Sequence, residues 1–203
     1  MLADWVNPKY LEEKEADKIA ANFNKAEPYP NFSLPNFFDK NELMKLKNEV
    51  LKEKYELADR DLFTLSHTGD LISSDNPAIK EFYDLLSSNE FIHLMEKLTG
   101  ERLSQKIDMQ SHSMTAGNYL LFHDDVVEGR KIAYIAYLSD LGPHDGGRLR
   151  LYDLKNPVNP IKQIVQKFNS FACFRVSNKS LHDVEEIKSK RQRLTIGGWF
   201  YGK

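Results

Sequence analysis

Residues 118 to 140 read NYLLFHDDVVEGRKIAYIAYLSD, and in them His123-Asp124-Asp125 interrupts two apolar, aromatic-rich runs suited to burial. Side chains at i and i+2 of an extended strand face the same way. His123 and Asp125 can therefore converge on one point while Asp124 turns away, and an imidazole with a carboxylate at a rigid strand end is a start on a metal site. Two such groups do not hold a redox ion alone. A second histidine from elsewhere would complete a two-histidine, one-carboxylate triad, which leaves cis positions open for substrates. His-x-Asp is a common pair, however, and taken alone it is better explained by a solvated turn between strands. The dipeptide also recurs at His144-Asp145 and His182-Asp183.

The segment SLHDVEEIKSKRQRLTIGGWFY supplies the other candidates. His182 follows a strand-like run, and Arg193 opens the next one. A guanidinium there could form a bidentate pair with a carboxylate of a small diacid. Thr195 shares the strand face of Arg193 and could add a hydroxyl. Arg191 stands two residues before Arg193, and spacing alone leaves both open.

Around these residues the chain reads as helices followed by strands. Residues 8 to 22, opened by Pro8, a segment begun by Asp39 with Glu42 in a capping-box pattern, one from Ser74-Asp75, and one carrying Phe91, Leu94, Met95 and Leu98 up to Gly100 all show helical spacing. NFSLPNFF reads as a short extended piece, and residues 59 to 73 as an ambiguous strand and loop. Beyond Gly100 come short β-prone runs with turn residues between them, the pattern of a sandwich or barrel and not of alternating βαβ units. The expectation is one α+β domain over residues 1–203, with 1–100 mainly helical support and 101–203 the β core.

Composition narrows the function classes. The 203 residues carry 28 basic and 30 acidic side chains, a net charge of −2, which gives no general electrostatic reason to bind nucleic acid. Cys173 is the single cysteine, set among Phe171, Ala172 and Phe174, so no intrachain disulfide forms and a buried thiol is expected. No secretory signal pattern and no apolar run of about 20 residues is present, so no membrane partner is expected and the chain reads as cytoplasmic, or nuclear if eukaryotic.

The ordered set of His123-x-Asp125, GRKIAYIAYL, GGRLRLYD, SLHDVEEI and RQRLTIGGWF resembles the iron(II)/2-oxoglutarate-dependent dioxygenases, and within them the prolyl hydroxylase branch. LLFHDD, EGRKIAYIAYL and IGGWFYG are most similar to the ribosomal-protein prolyl hydroxylases. The likeness runs from about residue 105 to 202 and reaches back weakly to LPNFF. It implies a double-stranded β-helix, a jelly-roll variant, with helices packed on one sheet. It implies iron(II) on His123, Asp125 and His182, with Asp124, Asp183, His144, His67, His93 and His112 outside the ligand set. It also implies 2-oxoglutarate held by Arg193, with Tyr137 assisting and Leu149, Thr195, Trp199 and Tyr119 around the pocket.

The implied reaction consumes dioxygen and 2-oxoglutarate and hydroxylates a proline of a small-subunit ribosomal protein, with ascorbate as a candidate accessory reductant. The carboxylate of Asp125 favours hydroxylation over halogenation. Two departures stand out. Related enzymes carry a tyrosine nine or ten residues before the first histidine, where this chain has Met114. Eukaryotic ribosomal-protein hydroxylases continue into a second, degenerate β-helix domain, so a chain ending at Lys203 is expected to be either a compact single-domain member or an excised catalytic domain. Residues 62–75 and VVEGR are candidate lids. Alternatives are a hydroxylase of the same fold with another protein or small-molecule substrate, a non-catalytic metal-binding module, and more remotely a His-Asp phosphohydrolase.

Overall fold

In the first half of the chain, helices start and stop where side chains can satisfy the backbone. The computed structural model describes residues Met1–Lys203. After the short α1 (Leu2–Trp5) and a single turn at Pro8–Leu11, α2 runs Glu13–Lys25. Strand β1 (Asn31–Leu34) is the extended piece expected from NFSLPNFF. Asp39 opens α3 (Lys40–Val50), its carboxylate accepting from the amides of Asn41 at 2.8 Å and Glu42 at 3.0 Å. Only half of the capping box forms. Glu42 turns out to Lys45, and the Asp39 amide donates to the Trp5 carbonyl instead.

Next comes a hairpin of β2 (Glu56–Arg60) and β3 (Phe63–His67). Residues 63–67 pair with two further strands, so most of the first expected lid is fixed in the sheet. Helix α4 (Pro77–Ser87) begins slightly later than Ser74-Asp75 suggested. Asn76 caps it, and Pro77, which has no amide to satisfy, is its first residue. Helix α5 (Asn89–Thr99) is capped by Ser88 and ended by Gly100 at φ +74°, the left-handed stop its sequence predicts.

The strands that follow are β4 (Leu103–Ile107), β5 (Gln110–Met114), β6 (Tyr119–His123), β7 (Arg130–Tyr137), β8 (Leu149–Leu151), β9 (Lys162–Ile164), β10 (Phe171–Arg175), β11 (His182–Val184) and β12 (Arg193–Gly202). All pair antiparallel in the order β1-β10-β7-β12-β5-β3-β6-β11-β8-β9, with β2 on β3 and β4 on β12. The sheet winds round on itself into a nearly closed barrel, a double-stranded β-helix. Across its open seam Lys162 of β9 donates to the Asn31 side chain of β1 at 2.6 Å. The mainly helical first hundred residues thus also supply three strands to the sheet, β1 at one edge and β3 inside it.

Two cores result, and β10 divides them by the alternation of its side chains. Phe171 and Cys173 face the helices, where Phe37 stacks on Phe171 at 4.7 Å and Phe38 and Phe91 meet it edge-on. Ala172 and Phe174 face into the barrel with Tyr137, Leu149, Leu151 and Val184. Cys173 is a buried free thiol, as expected. The helical layer backs one side of the barrel and leaves the interior to the functional side chains. No helix is long and apolar enough to cross a membrane.

Candidate metal centre and anion pocket

His123 and His182 meet because β6 and β11 are neighbours in a register that sets these two residues directly opposite each other. Their ring centroids lie 4.0 Å apart. Each imidazole is oriented by its own strand: His123 Nδ1 stands 2.8 Å from the Leu121 carbonyl and His182 Nδ1 2.7 Å from the Ser180 carbonyl. A carbonyl only accepts, so both Nδ1 atoms carry a proton, which leaves the two Nε2 atoms as the positions that face a metal. Phe174 packs on His182 with centroids 4.6 Å apart.

Asp125 completes the set, but not by strand alternation. Strand β6 ends at His123, and Asp125 has φ +64°, in the left-handed region. That turn swings its carboxylate between the two rings, Oδ1 3.4 Å from His123 Nε2 and Oδ2 3.4 Å from His182 Nε2. One donor atom from each residue lies within 4.8 Å of the others. Donors bound at about 2.1 Å to one ion and at right angles stand about 3 Å apart, so this trio fits a single divalent ion with little movement. Burial alone would raise the Asp125 pKa. The two imidazoles and the nearby Trp199 indole outweigh it and hold the carboxyl down at about 2, ready to ligate. Burial, then His182, push the His123 pKa down, which keeps that ring neutral.

The acidic neighbours have structural duties. The Asp124 carboxylate accepts from the Val126 amide at 3.0 Å and shapes the turn that carries Asp125. Asp183, buried, takes two bonds from Arg150 of β8 at 2.8 and 2.6 Å and one from the Tyr152 hydroxyl at 3.1 Å. His144 and Asp145 lie in the loop before β8, where Asp145 accepts from the Gly142 amide.

The triad lines a cavity of ≈ 390 Å³ in the barrel interior, walled by Phe63, Leu65, Leu120, Leu149 and Val184. Arg193 stands in the same wall, 3% exposed. It has no carboxylate partner: Nε donates to the Gly147 carbonyl at 3.1 Å, and Nη1 lies 3.7 Å from Met114 Sδ. Gly147 sits at φ +69°, and a Cβ there would come within 2.5 Å of Ile187 and 3.3 Å of the Arg193 side chain, so only glycine cradles this guanidinium. The Tyr137 hydroxyl, beside Arg193, and the Trp199 indole N–H are buried without a hydrogen-bond partner. A buried unpaired cation with an orphaned hydroxyl fits an anionic ligand.

Of the residues picked out in the sequence, Thr195 and Trp199 of β12 and Leu149 of β8 line this cavity, and the Tyr137 ring lies 5.6 Å from the Arg193 guanidinium carbon. Arg191, by contrast, points to solvent and pairs with Asp145 at 3.6 Å. Tyr119 is a correction. Leu120 stands in the cavity wall and Tyr119 does not. His67 and His112 stay outside the ligand set, as expected, but both line the cavity. The alternation of Gln110, His112 and Met114 along QSHSM is the signal that could have found His112.

Residues 109–201 match the family described as the 2OG-Fe(II) oxygenase superfamily. Over 182 residues, 87% of this chain, the sequence is 33% identical to the mouse protein "Prolyl 3-hydroxylase OGFOD1". Over 215 residues, 94% of the chain, it is 33% identical to "Prolyl 3,4-dihydroxylase OGFOD1" of Ostreococcus tauri. The chain spans only 33% and 40% of the length of these relatives. Among solved structures, a Trichoplax adhaerens prolyl hydroxylase in complex with a hypoxia inducible factor peptide fragment superposes with a TM-score of 0.73 at 15% identity, covering 95% of each chain. In this fold, with a triad able to hold iron(II) and an anion pocket beside it, residues 109–201 form a domain of the 2OG-Fe(II) oxygenase superfamily.

Proposed function

We propose that this chain is a protein prolyl hydroxylase and that its substrate is a small-subunit ribosomal protein. What carries the reading is its 33% identity, over most of its length, to relatives named as prolyl hydroxylases, together with the ribosomal-type wording of LLFHDD and IGGWFYG. Iron(II) with 2-oxoglutarate and dioxygen would supply the oxidising power that puts a hydroxyl on carbon. The protein's part is geometry. His123 and His182 present Nε2 lone pairs, Asp125 adds one negative charge, and Arg193 takes the far carboxylate of the diacid in a bidentate pair. Tyr137 adds its free hydroxyl at that end, and Leu149, Leu120 and Val184 keep water out.

A polypeptide substrate also suits the surface beside the metal centre. Leu121, Phe122, Val126 and Val127 leave 41%, 45%, 53% and 53% of their surface exposed on both sides of His123 and Asp125. An apolar rim of this kind around a reaction centre suits an extended peptide better than a freely soluble metabolite.

The test is mass spectrometry of a proline-containing peptide from a ribosomal decoding-centre protein, incubated with the iron-loaded protein, 2-oxoglutarate and air. One added oxygen atom on proline, matched by succinate, is the expected result. Two added oxygens would indicate dihydroxylation. Succinate without peptide oxidation would redirect the search to another protein or a small molecule. No succinate with iron bound would favour a non-catalytic module and overturn the reading.

A further inference from the structure

Strand β5 turns Gln110, His112 and Met114 into the cavity. Ser111 and Ser113 face the other way, Ser111 donating to the Thr195 carbonyl at 3.0 Å and Ser113 accepting from Gln192 at 2.8 Å. Met114 lies directly opposite Arg193 and brings a thioether, not a hydroxyl, to the guanidinium. His112 lies opposite Thr195, two residues further along the same pair of strands, and on its other side it faces His67 of β3.

The two histidines differ in their bonding. His67 Nδ1 is 2.8 Å from the Thr68 carbonyl, so its proton is already committed. The half-buried His112 ring makes no hydrogen bond within the protein, although it lies between β3 and β12 and lines the cavity. It is thus an uncommitted donor beside the only buried arginine of the site.

We propose that His112 is a direct contact of the cosubstrate, its ring donating a hydrogen bond to the carboxylate of 2-oxoglutarate that Arg193 holds. It would replace the tyrosine hydroxyl that Met114 lacks, and it rests on the dioxygenase reading of this cavity. The charged and titratable groups around it are Arg193 from β12, His67 from β3 and Asp125 after β6. Burial first, then Arg193 and His67, push its pKa down to about 4, with Asp125 opposing. A dicarboxylate seated against Arg193 neutralises that repulsion and offers an acceptor, so it pulls the pKa back up. Binding of 2-oxoglutarate therefore takes up a proton from solvent onto His112, and affinity rises as pH falls towards neutrality.

The test is calorimetry of 2-oxoglutarate binding to zinc-loaded protein, which supports no oxidative turnover, at about pH 6.5 and 8.0 in two buffers of different ionisation enthalpy. Wild type is expected to take up a fraction of a proton and to bind several-fold more tightly at the lower pH. His112→Gln keeps a donor but cannot titrate, so it should lose the proton uptake with a small change in affinity. His112→Leu should weaken binding by about tenfold, a charge-assisted bond lost. His67→Gln should leave the uptake in place. Unchanged zinc content and melting temperature would certify the fold of each variant. Proton uptake that persists in His112→Gln, or wild-type affinity in His112→Leu, would overturn the role of His112 alone. No binding by the wild type at either pH would take down the 2-oxoglutarate pocket and this inference with it.

Discussion

Asp125 reaches its place through a left-handed backbone that a residue with a Cβ adopts only at a cost of order 1–2 kcal/mol. Its charge is what justifies that conformation, since the carboxylate stands 3.4 Å from the Nε2 atoms of both His123 and His182. Asp125→Ala should therefore reduce iron affinity and coupled turnover by at least about a hundredfold. Asp124→Ala, measured beside it, should keep both within about threefold and lose about 1 kcal/mol of stability in urea, because only the bond from the Val126 amide disappears. A second prediction concerns acid. The pKa of His112 is near 4 in the folded protein and about 6.5 in an unfolded chain, so between those values the unfolded chain binds the extra proton. Stability of the metal-free protein should fall as pH drops from about 6.5 to 4, by up to about 3 kcal/mol, and His112→Gln should remove that part of the slope. Urea unfolding at pH 7 and 4.5 reads it directly, and equal slopes in the two proteins would contradict it. At this scale the sequence displayed His123, Asp125, His182 and Arg193 but not their manner of meeting. The i, i+2 spacing led to the right pair through a strand that stops at His123. His112 was hidden because its importance depends on β5 lying between β3 and β12, a tertiary fact.

Strand β11 is only three residues long, yet it carries His182 between β6 and β8. What fixes it is the bidentate pair of the buried Asp183 with the partly exposed Arg150 across the β8 register. Asp183→Asn should cost about 3 kcal/mol in unfolding free energy, since it leaves Arg150 short of a counter-charge, and weaken metal affinity by about tenfold through a loosened His182. Replacing both partners by apolar residues, as Arg150→Met with Asp183→Leu, should recover much of the stability in the same urea assay. If Asp183→Asn melts like wild type, the pair is not what holds β11. Elements with a strong local signal were legible: Asp39, Ser88 and Gly100 mark helix ends through their own side chains or backbone freedom. Strands β2 and β4 were not. Residues 56–60 are exposed almost throughout and carry Glu56, Asp59 and Arg60, so no apolar alternation announces them, and their pairing partners decide their state.

For the molecule as a whole, two cores divide the labour. The aromatic layer around Phe171 holds helices to the sheet, and the apolar walls of the barrel interior frame a cavity that keeps Arg193 and His182 out of bulk water. The apolar rim outside it gives a further prediction. Val126→Asp with Val127→Asp should raise the KM for a substrate peptide by about tenfold while leaving 2-oxoglutarate affinity unchanged, read in a succinate assay at varied peptide concentration. The proposed arrangement is iron(II) on His123, Asp125 and His182 with a chelating 2-oxo acid anchored by Arg193. Its most direct measurement is anaerobic titration of iron(II)-loaded protein with 2-oxoglutarate, following the visible charge-transfer absorption that a chelating 2-oxo acid gives on ferrous iron. The band should saturate in the wild type, fail to form in His182→Ala, need far more 2-oxoglutarate in Arg193→Leu, and be untouched by Arg191→Leu. A wild-type protein that binds iron yet gives no band, or a band undiminished in His182→Ala, would contradict the account.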